Sequence, residues 1–294
     1  MVSPADVVTQ APLSGDTLSV PAAGSSGPII KAEKVAFGYT QDKLVLRDIS
    51  FEVSAGEVLM ILGSNGCGKS TLMRLLLNDK QTAGGRILLD GTELRELSPL
   101  EISRRVAMVF QDHNAPFPYD VIDVVAMGRT PYLSAFATPR ARDMRICEDA
   151  LESVGMMHLA HKPYTQISGG ERQMVLIARA LAQETPLIMM DEPTSHLDYR
   201  NAAIVIQTAN RLASEQNKAV VMVTHLPDQA FYYPSKAALM EHGRFFAFGP
   251  SREVLTEANL TRTYSMQIKV LTAVDETTGQ EHIMCKPVPE SIRP

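Results

Sequence analysis

Continuous apolar runs of four or five residues recur along the chain and predict buried β-strands. They lie at Val58–Leu62, Val106–Phe110, Leu187–Met190 and Ala219–Val223. Runs without polar alternation are typical of strands that helices cover on both faces, as in a parallel sheet. The pattern therefore predicts an α/β domain with a mostly parallel sheet.

The N-terminal third has a different pattern. Ile29–Val35, Leu46–Val53 and Arg86–Leu89 predict strands joined by short turns, and apolar residues alternate along the second of them. Alternation indicates that one face of a strand is covered and the other is solvated. We expect these strands to form an antiparallel β-subdomain beside the main sheet.

Helical spacing dominates the middle of the chain. Pro99–Arg105, Val121–Met127 and Met144–Val154 predict helices, with a loop at Arg129–Pro139. Strand patterns are absent from about 115 to 165. We therefore expect an α-helical subdomain, at about residues 112–165, inserted into the α/β domain.

Composition and charge are those of a globular protein. The chain has 294 residues, 45% of them hydrophobic, and a net charge of −5. No apolar run approaches the roughly 20 residues needed to cross a bilayer. The acidic balance disfavours a nucleic-acid partner held by phosphate neutralisation. Cys67, Cys147 and Cys285 have neither disulfide nor zinc spacing, which fits a reducing compartment.

Residues 1–28 are rich in Pro, Ser, Gly and Ala and contain no Lys or Arg. A secretory signal needs a basic start and an apolar core, and both are missing. Because such a segment buries too little apolar surface to fold, we expect a disordered tail.

A glycine-rich turn after the first buried strand matches G-x-x-x-x-G-K-[ST]. This phosphate loop comprises Gly63, Ser64, Asn65, Gly66, Cys67, Gly68, Lys69, Ser70 and, opening the next helix, Thr71. Its backbone N–H groups and the helix N-terminus favour an anion at one point. Lys69 would reach the β- and γ-phosphates of a nucleoside triphosphate, and Ser70 would hold Mg²⁺.

Two acids, Asp191 and Glu192, follow the strand Leu187–Met190. The carboxyl edge of a parallel sheet is where ligands bind in open α/β folds. Asp191 can bind Mg²⁺ directly or through water, and Glu192 can polarise a water for attack on the γ-phosphorus. Alone, the pair would be more simply explained as surface acids at a strand end.

Ser168-Gly169-Gly170-Glu171 precedes a predicted helix at Arg172–Gln183. The segment fits a capping box. However, each glycine weakens a helix by about 1 kcal/mol relative to alanine. Bare backbone at a helix N-terminus suits the close approach of an anion instead.

Six motifs in this order resemble the nucleotide-binding subunit of an ATP-binding cassette (ABC) transporter. They are Tyr39, the phosphate loop, Gln111, Ile167–Glu171, Leu187–Glu192 and His225. The resemblance covers nearly everything from residue 29 to about 255. It implies a P-loop ATPase of the ABC type at residues 29–265 that uses ATP and Mg²⁺, followed by a hairpin and tail at 266–294.

The resemblance also implies a role for each matching residue. Tyr39 would stack on adenine, Gln111 would contact Mg²⁺, the attacking water and the membrane subunit, and His225 would contact the γ-phosphate. Ser168, Gly169 and Gly170 would bind the γ-phosphate held by an opposite protomer, and Asp198 would join the two sites. Glu192, His225 and Gln111 would thus be catalytic. The alternative explanation for Tyr39 and for His225 is an ordinary residue at a strand end.

Two positions vary from the family pattern. The signature, usually LSGGQ, is here Ile167-Ser168-Gly169-Gly170-Glu171, which keeps both glycines. Cys67 lies inside the phosphate loop, where we expect a small filler side chain whose alkylation would block ATPase activity.

Met127–Leu133 with Pro139, and Gly249–Tyr264 followed by a hairpin around Asp275–Gly279, resemble importers of iron–siderophore, haem, cobalamin or similar metal chelates. Such importers pair two ATPase chains with two permeases and, indirectly, a periplasmic or lipoprotein substrate-binding protein. The resemblance therefore implies a homodimer, peripheral at the cytoplasmic face of the inner membrane.

Two other functions fit the sequence less well. A soluble ABC-type ATPase acting on nucleic acid or ribosomes would be expected to carry two cassettes or long coiled coils, which this sequence lacks. A GTPase would need an N-K-x-D motif, and the nearest match, Asn217-Lys218-Ala219-Val220, lacks its Asp.

Overall fold

The computed structural model describes residues 27–40, 43–110, 118–134, 137–195, 197–232, 235–277, 279 and 281–289. The strands are β1 (Ile30–Thr40), β2 (Lys43–Val53), β3 (Val58–Gly63), β4 (Gly84–Leu89), β5 (Thr92–Glu93), β6 (Val106–Val109), β7 (Leu187–Asp191), β8 (Ala219–Val223), β9 (Lys236–Glu241), β10 (Arg244–Pro250), β11 (Ile268–Val274) and β12 (Glu281–Pro287). The helices are α1 (Lys69–Leu76), α2 (Pro99–Ser103), α3 (Val121–Ala126), α4 (Ala141–Ser153), α5 (Gly169–Ala182), α6 (Tyr199–Ser214), α7 (Ser251–Val254) and α8 (Glu257–Tyr264). The tail expected at residues 1–28 lies almost wholly outside these ranges.

The described strands form three sheets. The largest has the order β10-β9-β3-β8-β7-β6, in which only the edge strand β10 pairs antiparallel. A second sheet, β2-β1-β4-β5, is antiparallel throughout, and β11 and β12 form a separate hairpin. The mostly parallel sheet and the N-terminal antiparallel sheet confirm the predicted fold class.

Alternate side chains of β3 enter two different cores. Leu59 and Ile61 face the antiparallel sheet and α1, whereas Met60 and Leu62 face the layer of helices α3 to α6. Strands β7 and β8 alternate between the same two cores. Burying one such aliphatic side chain contributes roughly 1.5–3 kcal/mol. The continuous apolar runs therefore exist because both faces of the central strands are buried.

The structure departs from the sequence pattern in several elements. The first two strands are longer than predicted, and the predicted loop at Arg129–Pro139 begins inside a 3₁₀ helix, Met127–Tyr132. Strands β9 and β10 and helix α6 were not predicted. The segment Lys236–Glu241 is rich in helix-forming residues, but pairing with β3 makes it a strand. None of the helices in the described ranges is long and apolar enough to span a bilayer.

The segment Met127–Tyr132 binds the C-terminal end of α5. A Cβ atom on Gly128 would lie 2.3 Å from the carbonyl oxygen of Arg179, so only glycine permits this approach. The hydroxyl of Tyr132 donates to the carbonyl of Gln183 at 2.8 Å. Helix α5 is therefore held at the end opposite Ser168.

Arg129 completes this attachment from a buried position. Its guanidinium donates to the Ala182 carbonyl at 2.7 Å, to Asp143 at 3.1 Å and to Glu184 at 2.8 Å. It also lies 4.4 Å from the centre of the Tyr132 ring. The pKa of Asp143 is lowered by the backbone N–H of Arg140 and by Arg129 itself. The attachment thus joins α4 to α5.

We predict that Arg129→Met lowers the free energy of unfolding by about 3 kcal/mol, because it leaves the Asp143 carboxylate buried without its cation. Arg252→Met removes an exposed ion pair with Glu281 and should leave stability unchanged within error. Urea unfolding of the full chain measures both. Equal stability of the two variants would contradict this role of Arg129.

Candidate active site

The phosphate loop turns back on itself between β3 and α1. Gly66 and Gly68 have φ of 78° and 115°, a left-handed backbone that favours glycine. Lys69, at the first position of α1, is buried, and its ammonium donates to the carbonyls of Gly63 at 2.8 Å and Ser64 at 3.2 Å. These bonds use two of its three N–H groups, and a phosphate oxygen is a suitable acceptor for the third.

Asp191, at the end of β7, meets this loop. Its carboxylate accepts a hydrogen bond from the Ser70 hydroxyl; burial raises its pKa, while Ser70 and Lys69 oppose the rise. Mg²⁺ in nucleotide sites is bound by one or two protein oxygens together with phosphates and water. The adjacent oxygens of Ser70 and Asp191 fit that requirement.

Glu192 follows in a strained backbone conformation, with φ of 47°. Strain of this kind persists where surrounding contacts fix the chain, often at functional sites. Ser195 donates its hydroxyl to the Glu192 carboxylate at 3.2 Å, and Nδ1 of His225 lies 3.4 Å from the same carboxylate oxygen. The structure therefore brings together Glu192 and His225, two of the three residues that were expected to be catalytic.

A buried chain of hydrogen bonds between polar side chains connects the segments that carry Glu192 and His225. The Thr224 hydroxyl donates to Oε1 of Gln229 at 2.8 Å, and Nε2 of Gln229 donates to the Thr194 hydroxyl at 2.9 Å. All three residues are buried. The sequence analysis missed this chain, since nothing in the spacing of these residues indicates contact.

Tyr39 lies at the end of β1, beside the phosphate loop. Its hydroxyl is 3.4 Å from the hydroxyl of Thr71, and its ring packs edge-on against Phe37 at 5.0 Å between centroids. The side chain is 57% exposed. A partly exposed aromatic ring at this position can stack on a nucleotide base.

The signature segment forms the N-terminus of α5. Ser168 and Glu171 make the capping box: the Glu171 N–H donates to the Ser168 hydroxyl at 3.3 Å, and the Ser168 N–H donates to the Glu171 carboxylate at 2.7 Å. This backbone bond holds the pKa of Glu171 below its ordinary value. The capping-box explanation raised for the motif therefore applies, and the anion site stays a prediction.

The two signature glycines have different surroundings. A Cβ on Gly169 would meet no atom of the described chain within 4 Å, whereas one on Gly170 would touch Asn201 and Leu197 at 3.4 and 3.6 Å. Packing within the described residues therefore does not require a glycine at 169. The contacts of Gly170 lie near Asp198 rather than at the phosphate loop.

Asp198 is the N-cap of α6, where it accepts the backbone N–H of Asn201 at 2.8 Å. Gln111 lies outside the described residues. Within those residues no group of three or more His, Cys, Asp or Glu side chains could hold a metal ion. Ser70 and Asp191 are the described members of the predicted Mg²⁺ set.

These features define a nucleoside triphosphatase with a phosphate loop, two acids at the adjoining strand end and a neighbouring histidine. Residues 46–195 match the family described as ABC transporter, and this chain belongs to that family. Members of the family hydrolyse ATP, and the chain is an ATPase.

Known relatives extend over most of the chain. A molybdate import ATP-binding protein, MolC, of Haemophilus influenzae is 37% identical over 237 residues, which are 81% of this chain and 88% of the relative. A hemin import ATP-binding protein, HmuV, of Nocardia farcinica is 40% identical over 228 residues, covering 77% and 78%.

A solved structure is similar over most of the chain. It shows an inward-facing ABC transporter assigned to the metal-chelate type, and it aligns with a TM-score of 0.78 and 34% identity. The alignment covers 89% of this chain and 98% of that one. The fold and the resemblance to metal-chelate transporters are thereby confirmed.

We predict that alkylation of Cys67 abolishes ATPase activity and is slow at neutral pH. Its Sγ lies 2.7 Å from where a Cβ on Gly63 would stand, so an adduct would displace the loop. Burial raises the pKa of the Cys67 thiol, so the reactive thiolate increases with pH above the ordinary range for cysteine. N-ethylmaleimide inactivation, measured at pH 7 and pH 9, should be faster at pH 9 and slowed by MgATP.

Whatever its own ATPase activity, the Cys67→Ala variant should not be inactivated by N-ethylmaleimide. Cys147 is fully buried with its pKa raised to about 11, and burial raises that of Cys285 to about 12. Mass spectrometry reports how much Cys67 is modified. If modification is complete and ATP hydrolysis is undiminished, the prediction is contradicted.

Proposed function

We propose that the chain is the ATP-hydrolysing subunit of an ABC importer for a metal chelate such as haem or an iron–siderophore complex. The observation that carries the ATPase part is the meeting of Ser70, Asp191, Glu192 and His225 at one edge of the main sheet. Relatives named as import proteins and the metal-chelate transporter structure support the importer part.

The phosphate loop would bind the triphosphate. Its N–H groups and Lys69 would hold the β- and γ-phosphates, and Tyr39 would stack on adenine. Ser70 and Asp191, with Gln111, would hold Mg²⁺, which when bound neutralises phosphate charge. Each of these groups except Gln111 stands at or beside the phosphate loop in the described structure.

Glu192 would accept a proton from the attacking water, and His225 would contact the γ-phosphate. The 3.4 Å separation of His225 Nδ1 and the Glu192 carboxylate supports both roles, because each side chain orients the other. Ser195 adds a second contact that fixes Glu192.

Hydrolysis would require two copies of the chain. Ser168, Gly169 and Gly170 would complete the site of the opposite copy, with Asp198 between the two sites. The open surroundings of Gly169 support this arrangement, because they leave the N-terminus of α5 accessible to another molecule.

The ATPase dimer would act on two permease subunits, and indirectly on a substrate-binding protein, at the cytoplasmic face of the inner membrane. In this proposal residues 29–265 form the ATPase domain, residues of about 112–165 its helical subdomain and residues 266–294 a C-terminal hairpin and tail. The second candidate, a soluble ATPase acting on nucleic acid, is disfavoured by the net charge of −5.

We predict that Glu192→Gln lowers ATP turnover about 100-fold or more, because the amide cannot accept the proton. The variant should bind ATP and accumulate as a dimer in MgATP. Phosphate release and light scattering measure the two effects. Glu215→Gln, the same change at the exposed end of α6, is the control and should turn over normally. Normal turnover by Glu192→Gln would exclude Glu192 as the base.

A second prediction concerns the partner and the cargo. Co-expressed with a candidate ABC permease from the same genome, the tagged chain should co-purify with that membrane protein. In proteoliposomes the complex should take up haem or a ferric siderophore in an ATP-dependent way. Uptake of molybdate alone would refute the metal-chelate assignment while leaving an importer, and ATPase activity stimulated by DNA without a permease would favour the alternative function.

A further inference from the structure

The loop that carries His225 is held from its inner side by the buried chain described above. We define this histidine loop as residues 224–231, between β8 and the end of the 3₁₀ helix Pro227–Phe231. Within this loop Thr224 donates to Gln229, and Gln229 donates to Thr194, three residues after Asp191. The backbone of His225 itself lies outside this chain of contacts.

The outer side of the histidine loop is held by the C-terminal part of the protein. Tyr264, the last residue of α8, donates its hydroxyl to the carbonyl of His225 at 3.0 Å. The carboxylate of Asp228 accepts the backbone N–H of Cys285, which belongs to β12. Tyr264 and Cys285 therefore contact the loop directly, although they lie 39 and 57 residues further along the chain than their partners in it.

The side chain of Tyr264 is suited to hold this carbonyl. Its ring packs against the main core, and the chain turns away immediately afterwards at Ser265, whose φ is 54°. Burial raises the pKa of Tyr264 far above its ordinary value, so the phenol keeps its proton and remains a donor. The core thus fixes the donor, the Tyr264 hydroxyl. The acceptor is the backbone carbonyl of His225, the histidine proposed to be catalytic.

The hairpin of β11 and β12 supports the same arrangement. Val270 and Cys285, opposite each other in the hairpin, pack against the main core, as does Phe231 at the end of the histidine loop. The hairpin is therefore packed into the ATPase core at the histidine loop, and the contact between Cys285 and Asp228 is fixed by that packing.

We infer that Tyr264 is a positioning residue for ATP hydrolysis: it fixes the backbone of His225 so that the imidazole stays beside Glu192. Asp228, through the Cys285 amide, fixes the next turn of the same loop. This inference rests on the proposed role of His225. It makes the C-terminal part of the chain a component of the hydrolytic site.

Tyr264→Phe removes one hydroxyl and keeps the ring in the core. We expect kcat for ATP to fall about 3- to 10-fold, the effect of losing one hydrogen bond to a neutral carbonyl, with KM unchanged. Amide hydrogen exchange in residues 224–231 should become faster. Tyr132→Phe is the matched control, because it removes an equivalent bond to the Gln183 carbonyl at a distant place; it should leave exchange in the histidine loop unaltered.

A double-mutant cycle separates positioning from a general loss of stability. His225→Ala alone should lower kcat about 100-fold or more. If Tyr264 acts through His225, adding Tyr264→Phe to His225→Ala should lower kcat no further. Asp228→Ala should behave in the same way, and it provides a second variant if Tyr264→Phe is poorly expressed.

The outcomes distinguish this inference from the proposed function. Normal kcat in His225→Ala would remove the proposed role of His225 and the inference with it. A large loss in His225→Ala, combined with additive effects of Tyr264→Phe or with unaltered exchange in the loop, would leave the ATPase mechanism intact and overturn only the role of Tyr264.

Discussion

The burial of β3, β7 and β8 on both faces determines where chemistry can occur in this protein. Every side chain of β8 and of β3 is buried, so polar groups can enter only where these strands end. Because β3 pairs with β8 and β8 with β7, all in parallel, the three carboxyl ends lie side by side. The phosphate loop, the Asp191–Glu192 pair and the histidine loop follow those three ends, and their convergence is a consequence of the sheet.

This constraint explains how much could be predicted from sequence. Continuous apolar runs identified the central strands, and each motif could be assigned to the carboxyl end of one of them. Strand β9 could not be identified in this way, because Lys236–Glu241 favours a helix locally and is a strand only through its pairing with β3. Local pattern thus predicted the strands that are apolar throughout and missed β9, whose conformation depends on a distant partner.

Prediction from sequence had the same limits within the candidate active site. Glu192, His225 and Asp191 were predicted because each belongs to a motif of known spacing. Gln229 and Tyr264 were not, since their contacts join segments that are separated by 35 and 39 residues and share no periodicity. Such residues are identified by hydrogen bonds between elements, which only the folded chain brings together. Gln111 stays a prediction made from sequence alone.

The charges at the phosphate loop bear on the proposal that hydrolysis needs two copies of the chain. Lys69 contributes one positive charge, whereas Asp191 and Glu192 are both acids, and a bound triphosphate adds further negative charge beside them. Bound Mg²⁺ would offset part of this excess of negative charge, and the N-terminus of α1 contributes a partial positive charge.

A second helix N-terminus would offset more of the negative charge. Helix α5, with its bare glycines and with Ser168 and Glu171 already satisfying each other, leaves the remaining N–H groups of its first turn for an anion. The described contacts of Gly170 at this helix end lead to Leu197 and Asn201 and not to the phosphate loop of the same chain. This is why the proposal assigns the helix end to the nucleotide held by another copy.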